Sequence, residues 1–510
     1  MLWIALHLPL LSLESFAATL PPELRRMPLA LVEVRQISHA NASAQALGVK
    51  PGLRRATALG LAPQLVTAPA DPLRDAQALQ AVLHACLAFT PAVTALPPHQ
   101  ALLEVQASLR YFGGLESLLQ RLRAALAPLG HAAQYASAPT AQGAALLARM
   151  AGTTAGLHCP DLRSLQRTLA AAPVWLLGPG REHWEALQGM GLRTIADLRS
   201  LPRAGLARRF GEALLDELDR ALGERPDPRV WVTLAPTFEA RLELFARADT
   251  SEQVLHGAEV LLARLVAWLS AQHAFVRRFT LQLQHEARWR RSDTPPDTAI
   301  EIALAAPSRD AAHLALLLRE RLARTQLVAP ALELRLRADD IARAPPPNSE
   351  LFPTAQGERE GLTRLVERLQ ARLGRRQVQR PVRVQDHRPE RSSALQEVDA
   401  GALHPLPGRP SAKRAEIPVQ AAALITRPVW LIEPAQPLPE RCCQPLLDGL
   451  PLQLLSGPER IEAGWWDEGL AGRDYFIAQA ADASLVWIYR LRLPDLALQT
   501  QGWYLHGRFA

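Results

Sequence analysis

Apolar residues run almost unbroken through residues 2–8 (LWIALHL), the pattern of a short strand covered on both faces. Residues 13–20 then take helical spacing. Residues 31–71 break the rhythm: they are small, alanine-rich and punctuated by glycine, with few large apolar side chains. Helical periodicity returns over 71–89, and residues 101–111 alternate like a strand that Gly113-Gly114 ends. An amphipathic helix is expected over 115–126 and a further strand over 131–138. This order predicts a small sheet backed by helices, with residues 31–71 inserted into it.

Residues 165–223 are helical throughout, cut by Gly178-Pro179-Gly180 and Gly189-Met190-Gly191. Residues 237–340 change character: strand (238–247), long helix (251–272), strands (275–285 and 299–304), helix (309–324) and strand (330–338). That is a separate α+β domain with two helices on one sheet. Ala344-Pro345-Pro346-Pro347-Asn348 reads as an exposed linker. A helix near 358–374 and an arginine-rich, proline-containing stretch to about 419 follow. Residues 420–510 are strand-like and hold Trp430, Trp465, Trp466, Trp487 and Trp503, the signature of a small β-rich module. The fold class is α+β, and no internal repeat is visible.

Composition narrows the function class. A chain of 510 residues is too long for one core, and 48% hydrophobic with 21% charged residues suits several filled globular domains. Lys50 and Lys413 are the only lysines, so arginine supplies nearly all of the positive charge. The formal net charge of +7 suits a polyanionic partner, although a GC-rich coding bias explains much of the arginine. Cys86, Cys159, Cys442 and Cys443 form no C-x-x-C pair, which argues for reduced structural thiols and against a zinc site. The apolar N-terminus lacks a basic leader, and Pro9 and Glu14 interrupt it. No uninterrupted apolar run reaches membrane-spanning length, so a cytoplasmic, nucleoid-associated protein is expected.

Three segments in fixed order resemble Y-family translesion DNA polymerases over roughly residues 1–340. Gly48-Val49-Lys50-Pro51-Gly52-Leu53 and Ala62-Pro63-Gln64-Leu65-Val66 resemble that family's fingers motifs. Ala138-Pro139-Thr140 resembles its palm A-P-N-K. Leu177-Gly178-Pro179-Gly180, Gly191 to Leu198 and Arg209-Phe210-Gly211 resemble its helix-hairpin-helix thumb. The resemblance implies a right-hand architecture: palm (1–30 and 72–164), fingers (31–71), thumb (165–232) and little finger (233–343). Beyond these lie a linker (344–419) and a partner-docking module (420–510). Gly457 to Glu462, Gly464 to Asp467, Arg473 to Tyr475 and the closing Trp503 to Ala510 resemble the tail of the Y-family-like component of a bacterial mutagenesis cassette.

Nucleotidyl transfer needs two Mg²⁺ ions held by clustered carboxylates, because hard cations take oxygen ligands and the pair clamps both reacting oxygens. Setting Leu13-Glu14 on the family's V-E puts Ala5 and His7 at its two aspartate positions. Setting Leu103-Glu104 on its L-D puts His99 and Gln100 where D-E stands. A register error does not rescue the site: no Asp or Glu occurs in residues 1–13 or between Ala76 and Leu103. The triphosphate-contacting Tyr, Arg and Lys correspond to Ala42, Gln45 and Ala141, and the sugar-screening aromatic pair to Pro9 and Leu10. The chain is therefore expected not to be an enzyme and to need no cofactor. His7 and His99 could alternatively form a relocated site, as two imidazoles suit Zn²⁺ better than Mg²⁺. That reading would make the chain an active translesion polymerase.

What remains is binding. Gly178, Gly180, Gly189 and Gly191 suit hairpins whose main-chain N–H groups hold phosphate, or equally helix ends. Arg208, Arg209, Arg277, Arg278, Arg290 and Arg291, near Phe279 and Trp289, are candidate phosphate contacts. Asn348-Ser349-Glu350-Leu351-Phe352 resembles the bacterial sliding-clamp pentapeptide Q-L-x-L-F: a tethered Leu-Phe pair for an apolar pocket and an amide for a subpocket. The arginines from Arg372 to Arg391 are expected on a solvated, partly disordered segment. The tryptophan-rich tail is either an ordinary core or a docking surface. The tail resemblance implies ImuA and an error-prone C-family polymerase α subunit as partners, beside DNA and the β clamp.

Overall fold

A computed structural model describes residues 1–150, 156–286, 295–343, 355–399, 427–428, 430–467, 469–492 and 502–509. The chain divides into two compact units, Met1–Leu351 and Phe352–Ala510.

The first apolar run is the central strand of a five-stranded sheet. The order is Val93–Leu96, Gln100–Glu104, Trp3–His7, Gln134–Ala138, Leu157–His158. Trp3–His7 runs antiparallel to both neighbours, with Ala5 opposite Leu102 and Ala136, and His7 opposite Gln100 and Gln134. Its two faces enter two cores, which is why the run does not alternate. Ile4 and Leu6 pack with helices Pro72–Leu87 and Leu115–Leu126, and Trp3 and Ala5 pack with Ala141–Met150. Asp71 starts the helix Pro72–Leu87 by accepting hydrogen bonds from the N–H groups of Leu73 and Arg74 at 3.0 and 3.2 Å.

Two expectations need correcting here. The strand expected over 101–111 stops at Glu104, and Leu109–Phe112 is a helical turn. The central strand offers only five residues to pair with, so the later alternation has no ladder to join. The strand Val93–Leu96 was not foreseen, being too short for a periodic signal.

Residues 29–69 form their own three-stranded sheet, order Gln36–Ala40, Leu29–Glu33, Val66–Pro69. Its core is built mostly of alanine with Ile37, Val49 and Leu65. Gly48 and Gly52 hold φ of +88° and +89°, a left-handed conformation that favours glycine at the motif's two fixed positions. Six short α-helices and one 3-10 turn, Val174–Leu176, follow from Leu162–Ala170 to Glu212–Leu222.

The next layer is a four-stranded antiparallel sheet, order Asp297–Ser308, Phe275–His285, Ala331–Ala342, Phe238–Ala248, with helices Ser251–Ala271 and Ala311–Leu322 as expected. Thr250 and Gln253 close a capping box on the first helix, and Asp310 caps the second. Ser251–Ala271 is long and apolar enough, by length and composition, to cross a membrane. Its apolarity has a local use, since it lies between this sheet and the helix Pro72–Leu87.

The second unit holds the helix Ala355–Leu373, a hairpin (Gln379–Arg383 with Ser393–Glu397) and a five-stranded antiparallel sheet. Trp487 and Trp503 are core residues, whereas Trp430, Trp465 and Trp466 are 69%, 74% and 56% exposed. The tail is thus a core and an exposed aromatic surface at once. The expectation of a solvated basic segment fails at Arg388, which is 2% exposed. Its guanidinium spans Asp386 and Asp467, each at 2.7 Å, and Arg473 pairs with Glu390 at 2.9 Å. These pairs pull both carboxyl groups of the Arg388 bridge well below the ordinary range. They tie residues 386–391 to the tail sheet. Cys86 and Cys159 are buried as expected of structural thiols, but Cys442 and Cys443 are exposed.

Candidate functional site

His7, His99 and Gln100 lie at one end of the central strand pair, and Ala5 lies at its middle. Ala5 is fully buried in one core cluster with Leu102, Ala136, Ala141, Ala144 and Ala145, so its surroundings are apolar. Gln100 is also buried, and its Nε2 donates to the carbonyl of Ala145 at 2.8 Å. The Nε2 of His99 lies 3.1 Å from the Oγ of Ser12, whose hydroxyl donates to Asp75. Ser15 donates to the same carboxylate at 2.7 Å. Asp75 sits one residue outside the stretch free of carboxylates and was therefore missed. In the fold it is taken up by two serine hydroxyls.

The remaining carboxylates are also engaged. Both oxygens of Glu14 accept from the N–H of Ala132 at 3.1 Å, and His131 lies 3.4 Å away. Glu104 is opposite Trp3, at the other end of the strand pair from His7 and Gln100. Among the described residues no group of three His, Cys, Asp or Glu is placed to hold a metal ion. The carboxylate pattern of a two-Mg²⁺ site is not met among the described residues, and His7 and His99 belong to no three-ligand group there.

The local field points the same way. Burial first, then Arg149 and His99, push His7 down to about 4, so its ring is neutral at pH 7 and Arg149 and Arg181 supply positive potential beside it. Burial also lowers His99, against a raising influence from Asp75. Arg149 donates to the carbonyl of Leu176 and lies 3.9 Å from Glu217. Neither Arg149 nor Glu217 belongs to a motif, so only the folded arrangement reveals them.

An acid-stability prediction follows from the buried rings. His7 and His84 both fall from 6.5 to about 4, and burial is the largest cause for each. Folding favours the neutral form, so this stability is complete above pH 6.5 and is lost as pH falls toward 4. Thermal unfolding should be level above about pH 7 and drop through that window. His84→Gln should flatten the drop, by up to ~3 kcal/mol at about 1.4 kcal/mol per pKa unit. A melting temperature independent of pH from 7 to 4 would contradict this.

The thumb glycines have different surroundings. The N–H of Gly178 donates to Glu217 at 2.9 Å, and a Cβ on Gly180 would come within 2.2 Å of the Val174 carbonyl oxygen. The first hairpin is therefore closed by a carboxylate and by packing. Gly189 and Gly191 face open space, and Gly191 has φ +80°. Arg208 and Arg209 are exposed on the helix Arg203–Phe210, while Arg203 pairs with Asp219 at 2.6 Å. Arg277 and Arg278 are exposed, Arg278 reaching Glu301 and Asp340 at 3.9 and 3.7 Å. Phe279 is 1% exposed and belongs to the core, which removes it as a stacking surface. Arg288, Trp289, Arg290, Arg291 and the pentapeptide Asn348 to Phe352 lie outside the described residues. At the nucleotide positions, Ala42 is an exposed methyl, Ala141 is buried, and the Nε2 of Gln45 donates to the carbonyl of Ala40 at 2.8 Å.

Residues 12–152 match the family model described as "IMS: impB/mucB/samB family". "Protein ImuB" of Caulobacter vibrioides (strain NA1000 / CB15N) is 30% identical over 494 residues, spanning 91% of this chain and 100% of that protein. The chain belongs to the ImuB family. DNA polymerase IV of Yersinia pestis (strain Pestoides F) is 28% identical over 211 residues, 40% of this chain and 60% of that enzyme. A Dbh ternary complex covers 66% of this chain and 99% of its own at 17% identity and TM-score 0.39. DinB from Sulfolobus solfataricus covers 67% and 99% at 19% identity and TM-score 0.37. This ImuB-family chain is a polymerase-like protein of damage-related DNA synthesis. Its likeness to polymerase IV covers less than half of it, whereas its likeness to ImuB extends into the tail.

Proposed function

We propose that this chain is a non-catalytic adaptor of error-prone translesion synthesis, acting in the cytoplasm on the nucleoid. It joins DNA, the β sliding clamp, ImuA and an error-prone C-family polymerase α subunit. The observation that carries the reading is the filled palm: Ala5 and Gln100 are buried in packing and hydrogen bonding, and His7 is a neutral ring beside Arg149. A polymerase fold without oxygen ligands retains its shape and its affinity for a polyanion but not its chemistry. The test is capture of partners from damaged cells by the full chain and by a form ending after residue 354. The full chain should bring down the clamp, the ImuA partner and the polymerase subunit. The short form keeps Leu351 and Phe352 and should retain the clamp alone. A cut at 420 is less informative, because it would strip Asp467 from Arg388.

DNA binding is assigned to Gly189, Gly191, Arg208, Arg209, Arg277, Arg278, Arg290 and Arg291, with Gly178 and Gly180 shaping the neighbouring turn. Affinity for primer-template DNA should fall steeply with salt and be indifferent to sequence. Converting Arg208 and Arg209 to alanine should weaken all sequences alike and reduce the slope of log affinity against log salt by about 2. Affinity that does not depend on salt would overturn this assignment.

A further inference from the structure

A buried guanidinium in the first unit has no ion-pair partner among the described residues. Arg264 sits in the middle of the apolar helix Ser251–Ala271 and is only 6% exposed. Its Nη1 donates to the carbonyl oxygen of Arg241 at 3.3 Å, and no carboxylate pairs with it among the described residues. Burial lowers its pKa only to about 10, so it stays charged at neutral pH. A buried guanidinium without an anion is costly, and folds retain such a group where something neutralises it.

Arg264 forms part of the wall of a cavity of about 390 Å³ between the helix Pro72–Leu87 and the strand Phe238–Ala248. That volume lies within the range of small-molecule sites. The charge around it can be summed by partner. Arg335 pairs with Glu333 at 2.5 Å, and the one lining carboxylate, Glu239, pairs with Arg337 at 3.0 Å. His84 is pushed to about 4 and contributes no charge. Arg264 and Arg241 remain, two cations with no ion-pair partner among the described residues. Trp268 also lines the cavity, and its indole N–H is buried without an acceptor.

We propose that this cavity is a binding site for a small phosphomonoester of nucleotide size. A phosphomonoester carries close to two negative charges at neutral pH, which suits the buried Arg264 guanidinium together with the exposed Arg241 at the cavity wall. Phe238 and Trp268 give the attached organic group an apolar wall. None of Ala5, His7, His99 and Gln100 lines this cavity, so the proposal does not depend on whether the chain polymerises.

The experiment measures melting temperature and calorimetric binding of the full chain with AMP, inorganic phosphate or adenosine, at constant ionic strength. AMP and phosphate should bind and raise the melting temperature, and adenosine should do neither. Arg264→Met should lose the AMP response, with binding at least tenfold weaker, while the ligand-free protein melts no lower because an uncompensated charge has gone. Arg241→Gln, at an exposed position, should weaken AMP about tenfold and keeps the test valid if the first variant does not fold. The proposal is overturned if AMP and phosphate give no more than a matched salt control. It is equally overturned if both variants respond as the parent does. Loss of DNA affinity in Arg264→Met, with no binding of AMP or phosphate to the parent, would assign the guanidinium to the DNA backbone instead and also defeat it.

Discussion

Replacing Leu351 and Phe352 together with alanine is expected to weaken binding to the β sliding clamp on the order of a hundredfold or more, with the fold unchanged. Seating a Leu and a Phe in an apolar pocket contributes roughly 1.5–3 kcal/mol each by area, and a few such anchors dominate small interfaces. The pair follows Pro345-Pro346-Pro347, and the chain passes from one compact unit to the next between Leu351 and Phe352. Two apolar side chains on a proline-rich tether have little structural purpose, so their loss should leave melting unchanged. Asn348→Gln lengthens the amide by one methylene and should tighten the complex modestly. Cells carrying the double variant should lose damage-induced mutagenesis although no residue of the palm was altered. Clamp affinity equal to that of the parent would mark the pentapeptide as a chance match.

Much of this was legible in the chain because the relevant physics is local. An unbroken apolar run marked the central strand, since a strand covered on both faces has no polar side to show. Period and capping residues marked Ser251–Ala271 and Ala311–Leu322. Setting Ala5, His7, His99 and Gln100 at the family's ligand positions needed only spacing within two short segments. What spacing could not supply was where the remaining polar groups go. Asp75 meets Ser12 across 63 residues, Gln100 meets Ala145 across 45, and Arg388 meets Asp467 across 79. The arginine-rich stretch departs from the expectation for that reason: composition describes a solvated face well until one guanidinium spans a neighbouring carboxylate, Asp386, and a distant one, Asp467. Gly178 is a similar case. Its motif suggested a free amide for phosphate, and only the fold brings Glu217 to it.

The filled palm makes its strongest statement about chemistry. A carboxylate placed at position 5 would not by itself make a two-ion site, because Ala5 shares a core cluster with Ala141, Ala144 and Ala145 and Gln100 holds the Ala145 carbonyl. An aspartate at position 5 would instead be a buried charge in an apolar cluster and should destabilise the first unit. Primer extension by the purified chain with Mg²⁺ or Mn²⁺ is therefore the most direct test, run beside a sample with alanine at His7 and His99. No extension above background is predicted for either protein. Template-dependent incorporation by the parent that survives rigorous removal of other polymerases, and that the His7/His99 variant loses, would contradict the account and establish a relocated metal site.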